Sequence, residues 1–336
     1  MSKLLFTISF SLLSISAFSQ WNLVWSDEFD SAALDMSKWS HETGGNGWGN
    51  NESQFYTTNG TNLQVSNDEL KIIALQETIG NNPYTSAKIV TKGKYQIQYG
   101  KIEARIKIPM GQGIWPAFWM LGSNIDQVSW PFCGEIDIVE HINSELMTHG
   151  TAHWDVNGYA YYGNSVANLD PTQFHIYSIE WDDAEIKWFF NGNQYHTMNI
   201  DNGINGTNEF QEPFYLILNL AVGGNWPGYP DATTTFPQVL VVDYVRVYKD
   251  QSDLGLDAKE LKSLSIYPNP GADELRIEGA KINDLVSFKT MDGKTCLSQK
   301  ISHQNSFNVS PLDSGAYFVE LKNEKGAISR AKFVKK

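Results

Sequence analysis

Apolar and polar residues alternate with a two-residue period along most of the chain between residues 21 and 249. Successive side chains of a strand point to opposite faces, so this period predicts strands. Residues 63–73 hold two alternating runs separated by Asn67 and Asp68, the pattern of a hairpin. Residues 95–99, 101–108, 175–181 and 239–248 repeat the period, and the run at 185–190 ends on Asn191 and Gly192. No long segment shows the helical period with caps. Many strands within one unit of about 230 residues predict an all-β sandwich or jelly roll. Residues 250–262 lack alternation and read as a linker. Short strands beyond it, with a turn at Asp292 and Gly293, predict a small C-terminal β-sandwich.

The chain begins with one Lys, an apolar run over residues 4–15, and Ala17 and Ser19 before Gln20, as a secretory signal peptide does. No later segment is long and apolar enough to predict a membrane span. The 336 residues include only 2 Cys, which excludes a disulfide scaffold, and carry a net charge of −13, which argues against nucleic acid as a partner. That charge is uneven. Residues 261–336 hold 10 Lys and 2 Arg against 8 acidic residues, so they are net basic. All 11 Trp lie between Trp21 and Trp226. An acidic, Trp-rich body precedes a Trp-free tail.

The acidic pattern with most chemical content lies in residues 134–141. Glu135 and Asp137 share a strand face, with Ile136 and Ile138 opposite. Unbroken alternation would send Glu140 to the apolar face, which is costly for a carboxylate. A β-bulge around Ile138 and Val139 returns it to the face of the other two. Three adjacent carboxylates repel, so at least one holds a proton near neutral pH. A protonated carboxyl beside an ionised one suits glycosidic-bond cleavage, and two Glu on one strand fit the retaining separation of about 5–5.5 Å. A solvated strand face or a cation site are the other readings of the acidic residues alone. Trp115 and Trp119 offer flat faces to sugar rings, while Phe118 reads as core. Cys133 reads as an inert buried thiol.

Residues 115–121 followed by 134–141 resemble glycoside hydrolase family 16, specifically its bacterial laminarinase-like β-1,3-glucanases. The resemblance covers about residues 21–249 and extends to residues 25–30, 47–52, 104–109, 219–228 and 242–248. It implies a concanavalin-like jelly roll of two curved antiparallel sheets, a sugar cleft on the concave face and a retaining mechanism. It casts Glu135 as nucleophile, Asp137 as its electrostatic helper and Glu140 as acid/base. The bulged spacing matches the laminarinase, agarase and carrageenase side of the family; the lichenase side has one residue fewer. His153 matches a family histidine near the acid/base, or is structural. Asn50, Asn51 and Glu52 match a loop lining the cleft, or make a turn. Arg105 either contacts substrate or pairs with an interior carboxylate. Trp226, on a Gly- and Pro-rich loop, is expected to stack on sugar. Glu28, Gly60 and Asp243 resemble positions that hold a structural Ca²⁺ in some members. No cofactor is expected for catalysis.

Residues 266–270, the turn at Asp292 and Gly293, residues 312–319 and the basic end at 332–336 resemble the type A sorting domain of the type IX secretion system. That implies export through Sec and then type IX machinery, to the cell surface or medium. A second sugar-binding module would be expected to show Trp platforms, which the tail lacks. The expected organisation is a signal peptide (1–19), a catalytic domain (21–249), a linker (250–262) and a sorting domain (263–336). The expected activity is that of a monomeric endo-β-1,3-glucanase acting on laminarin-like β-glucan. Mixed-linkage glucan, a red-algal galactan such as agarose, and a non-catalytic jelly-roll lectin stay open.

Overall fold

A computed structural model describes residues 21–250 and 264–336, except 279, 291–293, 302–305 and 323–327. The signal segment, the linker beyond Asp250 and the turn at Asp292 and Gly293 lie outside the described residues. The chain divides into two compact units, Met1–Asp250 and Gln251–Lys336.

The first unit is built on two large antiparallel sheets. An eight-stranded sheet runs in the order Asn193–Asn199, Glu185–Phe190, His175–Trp181, Gly100–Lys107, Gln238–Asp250, Leu70–Ala74 and Leu63–Val65, with Trp21–Asp27 also pairing with Gln238–Asp250. A seven-stranded sheet runs in the order Tyr159–Ala167, Met147–Asp155, Glu135–Glu140, Ile114–Gly122, Phe214–Val222, Lys88–Val90 and Ser40–Glu42. The expected hairpin forms between Leu63–Val65 and Leu70–Ala74, and both Asn67 and Asp68 take positive φ (58° and 56°), as a two-residue turn matched to strand twist requires. Asn191 and Gly192 do the same between Glu185–Phe190 and Asn193–Asn199.

Residues 95–99 depart from the expectation. Ile97 alone pairs, with Phe214, in an isolated bridge, and Tyr99 turns to φ 60°. The turn at Thr91–Tyr95, closed by Thr91 Oγ1 on the Tyr95 carbonyl, and the bend at Tyr99 leave no room for a strand between them.

Most strands of the two sheets turn one side into a continuous core that includes Phe118, Met120, Ile136, Ile138, Val139, Ile179, Trp181, Trp188, Leu216, Leu218, Val242 and Val245. Trp39, Trp181 and Trp188 are fully buried within it. Filling this interior fixes which face of the seven-stranded sheet is left for chemistry, because a one-residue slip would turn every side chain over.

The second unit holds a three-stranded sheet (Ile266–Tyr267, Glu274–Ile277, Ser306–Asn308) and a four-stranded one (Thr295–Lys300, Leu285–Thr290, Gly315–Lys322, Ile328–Lys335). Leu275, Ile277, Val286, Phe288, Val319 and Phe333 form its separate core. Among the described residues no helix is long and apolar enough to cross a membrane.

Candidate active site

Glu135 lies opposite Leu121 on one side and His153 on the other, and Asp137 opposite Trp119 and Thr151. Beyond Asp137 the register slips against both neighbours, so that Glu140 faces Ala117 and His149. The bulge therefore sits where the spacing of the carboxylates demands it. Ile136, Ile138 and Val139 all enter the core, and Glu135, Asp137 and Glu140 share the outer face. Trp188 reaches across from the other sheet and donates its indole N–H to the Asp137 carbonyl at 2.8 Å.

Although they point away from the core, Asp137 and Glu140 are only 2% and 9% exposed. Indoles and an imidazole wall them in. Trp130 Nε1 donates to Glu135 Oε2 at 2.9 Å, and Trp115 Nε1 to Glu140 Oε1 at 3.0 Å. His153 Nε2 stands 2.9 Å from Asp137 Oδ2 and 3.8 Å from Glu135 Oε1. No donor is aligned on Asp137 Oδ2, so the His153 contact is close without being a directed hydrogen bond.

Burial pushes all three carboxyls up to about 8. For Glu135 the charge of Asp137 adds to burial, while His153 and the Trp130 N–H oppose it. For Glu140 the Asp137 charge again adds, against His153 and the Trp115 N–H. The trio titrates as one coupled unit and retains a proton at neutral pH.

A family profile for glycosyl hydrolases family 16 matches residues 50–246. The chain belongs to glycosyl hydrolase family 16. A profile for a secretion system C-terminal sorting domain matches residues 265–336. The chain is 42% identical over 247 residues to a beta-glucanase of Rhodothermus marinus, covering 68% of this chain and 85% of that protein. It is 44% identical over 237 residues to the clotting factor G alpha subunit of Tachypleus tridentatus, covering 69% of this chain but 35% of that one. The solved catalytic domain of an endo-1,3-beta-glucanase (laminarinase) from Thermotoga petrophila RKU-1 matches with a TM-score of 0.65 at 44% identity, over 70% of this chain and 100% of that one.

Within this family 16 site, Trp226 is 43% exposed and meets Trp115 edge to face at 5.6 Å. Its loop is tied to the other expected loop, since Asn51 Nδ2 donates to Asn225 Oδ1 and Asn225 N to the Asn50 carbonyl. Gly224 has φ 139°, and a Cβ there would come within 3.2 Å of the Trp115 ring, so only glycine lets the loop approach. Trp119 donates to Asn219 Oδ1, Asn219 Nδ2 to the Tyr56 hydroxyl, and Tyr56 to Glu52 Oε2. Glu52 is thus a half-buried anchor, its carboxyl raised by desolvation and bonded by Gln54 and, more weakly, Asn50.

Two placements resolve what the sequence left open. Arg105 sits on Gly100–Lys107 of the other sheet, facing away from the core, where it pairs with Asp243 at 2.7 Å and covers the Phe174 ring at 4.3 Å. It has no access to the carboxylate face. His153 lies beside Glu135 and Asp137, and His149 is the histidine opposite Glu140. As for calcium, Glu28 is gripped by two Arg246 nitrogens at 3.0 and 2.7 Å, and Asp243 by Arg105. Ca²⁺ takes six to eight oxygens, backbone carbonyls and waters included, and the two carboxylates expected to contribute are both engaged by guanidinium groups here.

Several site residues went unread in the sequence. Trp130, just ahead of the acidic motif, and Tyr159 and Tyr161, which follow a turn at Asn157 and Gly158, wall the Glu135 end. Lys88, paired with Glu42 at 2.9 Å, lies over the Trp48 and Trp119 rings at 4.5 and 5.0 Å. Cys133 is buried and burial pushes its thiol up to about 11, which disfavours the reactive thiolate.

Proposed function

We propose that this chain is a retaining endo-β-1,3-glucanase, exported to the cell surface or medium, that hydrolyses laminarin-like β-glucans. The observation that carries the reading is the bulged strand that gathers Glu135, Asp137 and Glu140 on one walled face. The beta-glucanase and laminarinase relatives support the substrate class, and the C-terminal sorting domain supports export by the type IX route.

In this reading Glu135 attacks the anomeric carbon while Glu140 donates its proton to the leaving oxygen. The bond formed is a glycosyl ester on Glu135; the bond broken is the glycosidic C–O. Glu140, now ionised, takes a proton from water, which opens the ester and returns the sugar with its original configuration. The buried trio retains a proton at neutral pH, and in this reading Glu140 carries it into the first step. Asp137 influences Glu135 through space, and the Trp130 N–H favours the ionised form that attack requires. Trp226 and Trp115 supply apolar faces at the Glu140 end.

A panel of laminarin, mixed-linkage glucan and agarose, with products followed by NMR from the first minutes, tests this. The reading expects β-anomers released first from laminarin. Inverted products, or release from agarose alone, would replace it. Binding of laminarin without new reducing ends would favour the lectin reading.

A further inference from the structure

Trp130 is 46% exposed on the segment between the short helix Ile125–Val128 and the carboxylate strand, yet its indole N–H is spent on Glu135 rather than on water. Its ring lies 5.2 Å from that of Tyr159, which stacks on His153 at 5.7 Å and 11°. The Tyr159 hydroxyl is 2.8 Å from His153 Nδ1, and His153 Nε2 faces Asp137. The contacts close a ring through Glu135, Trp130, Tyr159, His153 and Asp137. Three of its members come from outside the carboxylate strand.

We propose that Trp130 and Tyr159 are positioning residues that set the ionisation of Glu135 and Asp137, Trp130 by donating to Glu135 and Tyr159 by fixing the tautomer of His153. The inference rests on the reading of Glu135 as the attacking carboxylate. An indole N–H is a donor only, and a bond donated to a carboxylate favours its ionised form. A tyrosine hydroxyl that donates to Nδ1 leaves the imidazole proton on Nε2, the nitrogen that lies 2.9 Å from Asp137 Oδ2. Burial pushes Tyr159 up to about 12, so the hydroxyl remains a donor through the working range.

The other titratable groups that face Glu135 are few. Asp137 and Glu140 on its own strand oppose its ionisation, and His153 on Met147–Asp155 favours it. Cys133, just before the strand, and Tyr215, on Phe214–Val222, are both raised by burial and stay neutral. Trp130 is therefore the uncharged lever on Glu135.

The test compares W130F and Y159F with the unaltered protein in two ways. One is the pH profile of kcat/KM on laminarin. The other is a ¹³C-NMR titration of glutamate carboxyls, with Glu135 assigned by its loss in E135Q. W130F keeps a ring and removes the donor. The acid limb and the Glu135 titration should both rise by about one pH unit, the worth of one hydrogen bond to an ionised group, with the rate recovering above the limb. Y159F should move both in the same direction, and it carries the test alone if W130F does not fold. Titrations that stay in place in folded variants overturn the proposal, even if activity falls. If the unaltered protein releases no sugar from any glucan but the Glu135 titration moves, the positioning role stands and the glucanase reading falls.

Discussion

The indole nitrogen of Trp115 donates to Glu140 Oε1 at 3.0 Å, while the same ring meets Trp226 edge to face. A side chain expected to stack on sugar thus also holds the expected proton donor. Replacing Trp115 with Phe removes an interaction that lowers the Glu140 carboxyl, so that carboxyl should rise. A higher value keeps the proton longer, and the alkaline limb of kcat/KM should move up by about one pH unit or less. A pH profile of W115F against the parent reads this directly.

Trp226 is exposed and touches none of the three carboxylates in a hydrogen bond. Its removal should weaken binding of the glucan in ground and transition states alike. W226A is expected to raise KM on laminarin by roughly tenfold, equivalent to about 1.4 kcal/mol, with kcat nearly unchanged. Steady-state kinetics would show instead a loss confined to kcat if the ring served the chemical step.

The buried carboxyls make a pH-dependent stability claim. Asp137 is raised from 3.8 to about 8 in the folded protein by burial. The native state therefore binds more protons than the unfolded chain between these values, and stability falls as pH rises through that window. D137N removes the titration. Its melting temperature should exceed the parent's at pH 8.5, by roughly 2–4 °C per kcal/mol gained, and the gap should shrink towards pH 4. Calorimetry at the two pH values decides it, and a gap that widens in acid would reverse the sign.

Trp188 supports the bulge from the far sheet. W188F keeps most of the packing but leaves the buried Asp137 carbonyl without that donor, at a cost of about 1–3 kcal/mol. Melting should drop by several degrees. The kcat should fall with it, because Asp137 is held through this bond.

How much of this was legible depended on whether the physics was local. The bulge was legible because Glu140 would otherwise face the apolar side of its strand, a conflict written in six consecutive residues. The turns at Asn67 and Asn191 were legible because Asn tolerates positive φ. Residues 95–99 misled, since alternation by itself does not reveal that Thr91 and Tyr99 bend the chain on either side of a single bridge. Arg105 stayed open for a related reason: strand alternation places it on an outer face without saying which sheet. The bond from Trp119 to Asn219 and that from Asn219 to Tyr56 join residues 100 and 163 positions apart. Trp130 and Tyr159 meet because the Tyr159–Ala167 strand lies at the edge beside Met147–Asp155, an order that emerges from the whole sheet.

The central claim is that Glu135 forms the bond to sugar. Purified E135Q should bind laminarin as the parent does and release no reducing ends above background, with its melting temperature retained or raised. Laminarin hydrolysis by E135Q at the parent's rate would contradict the account.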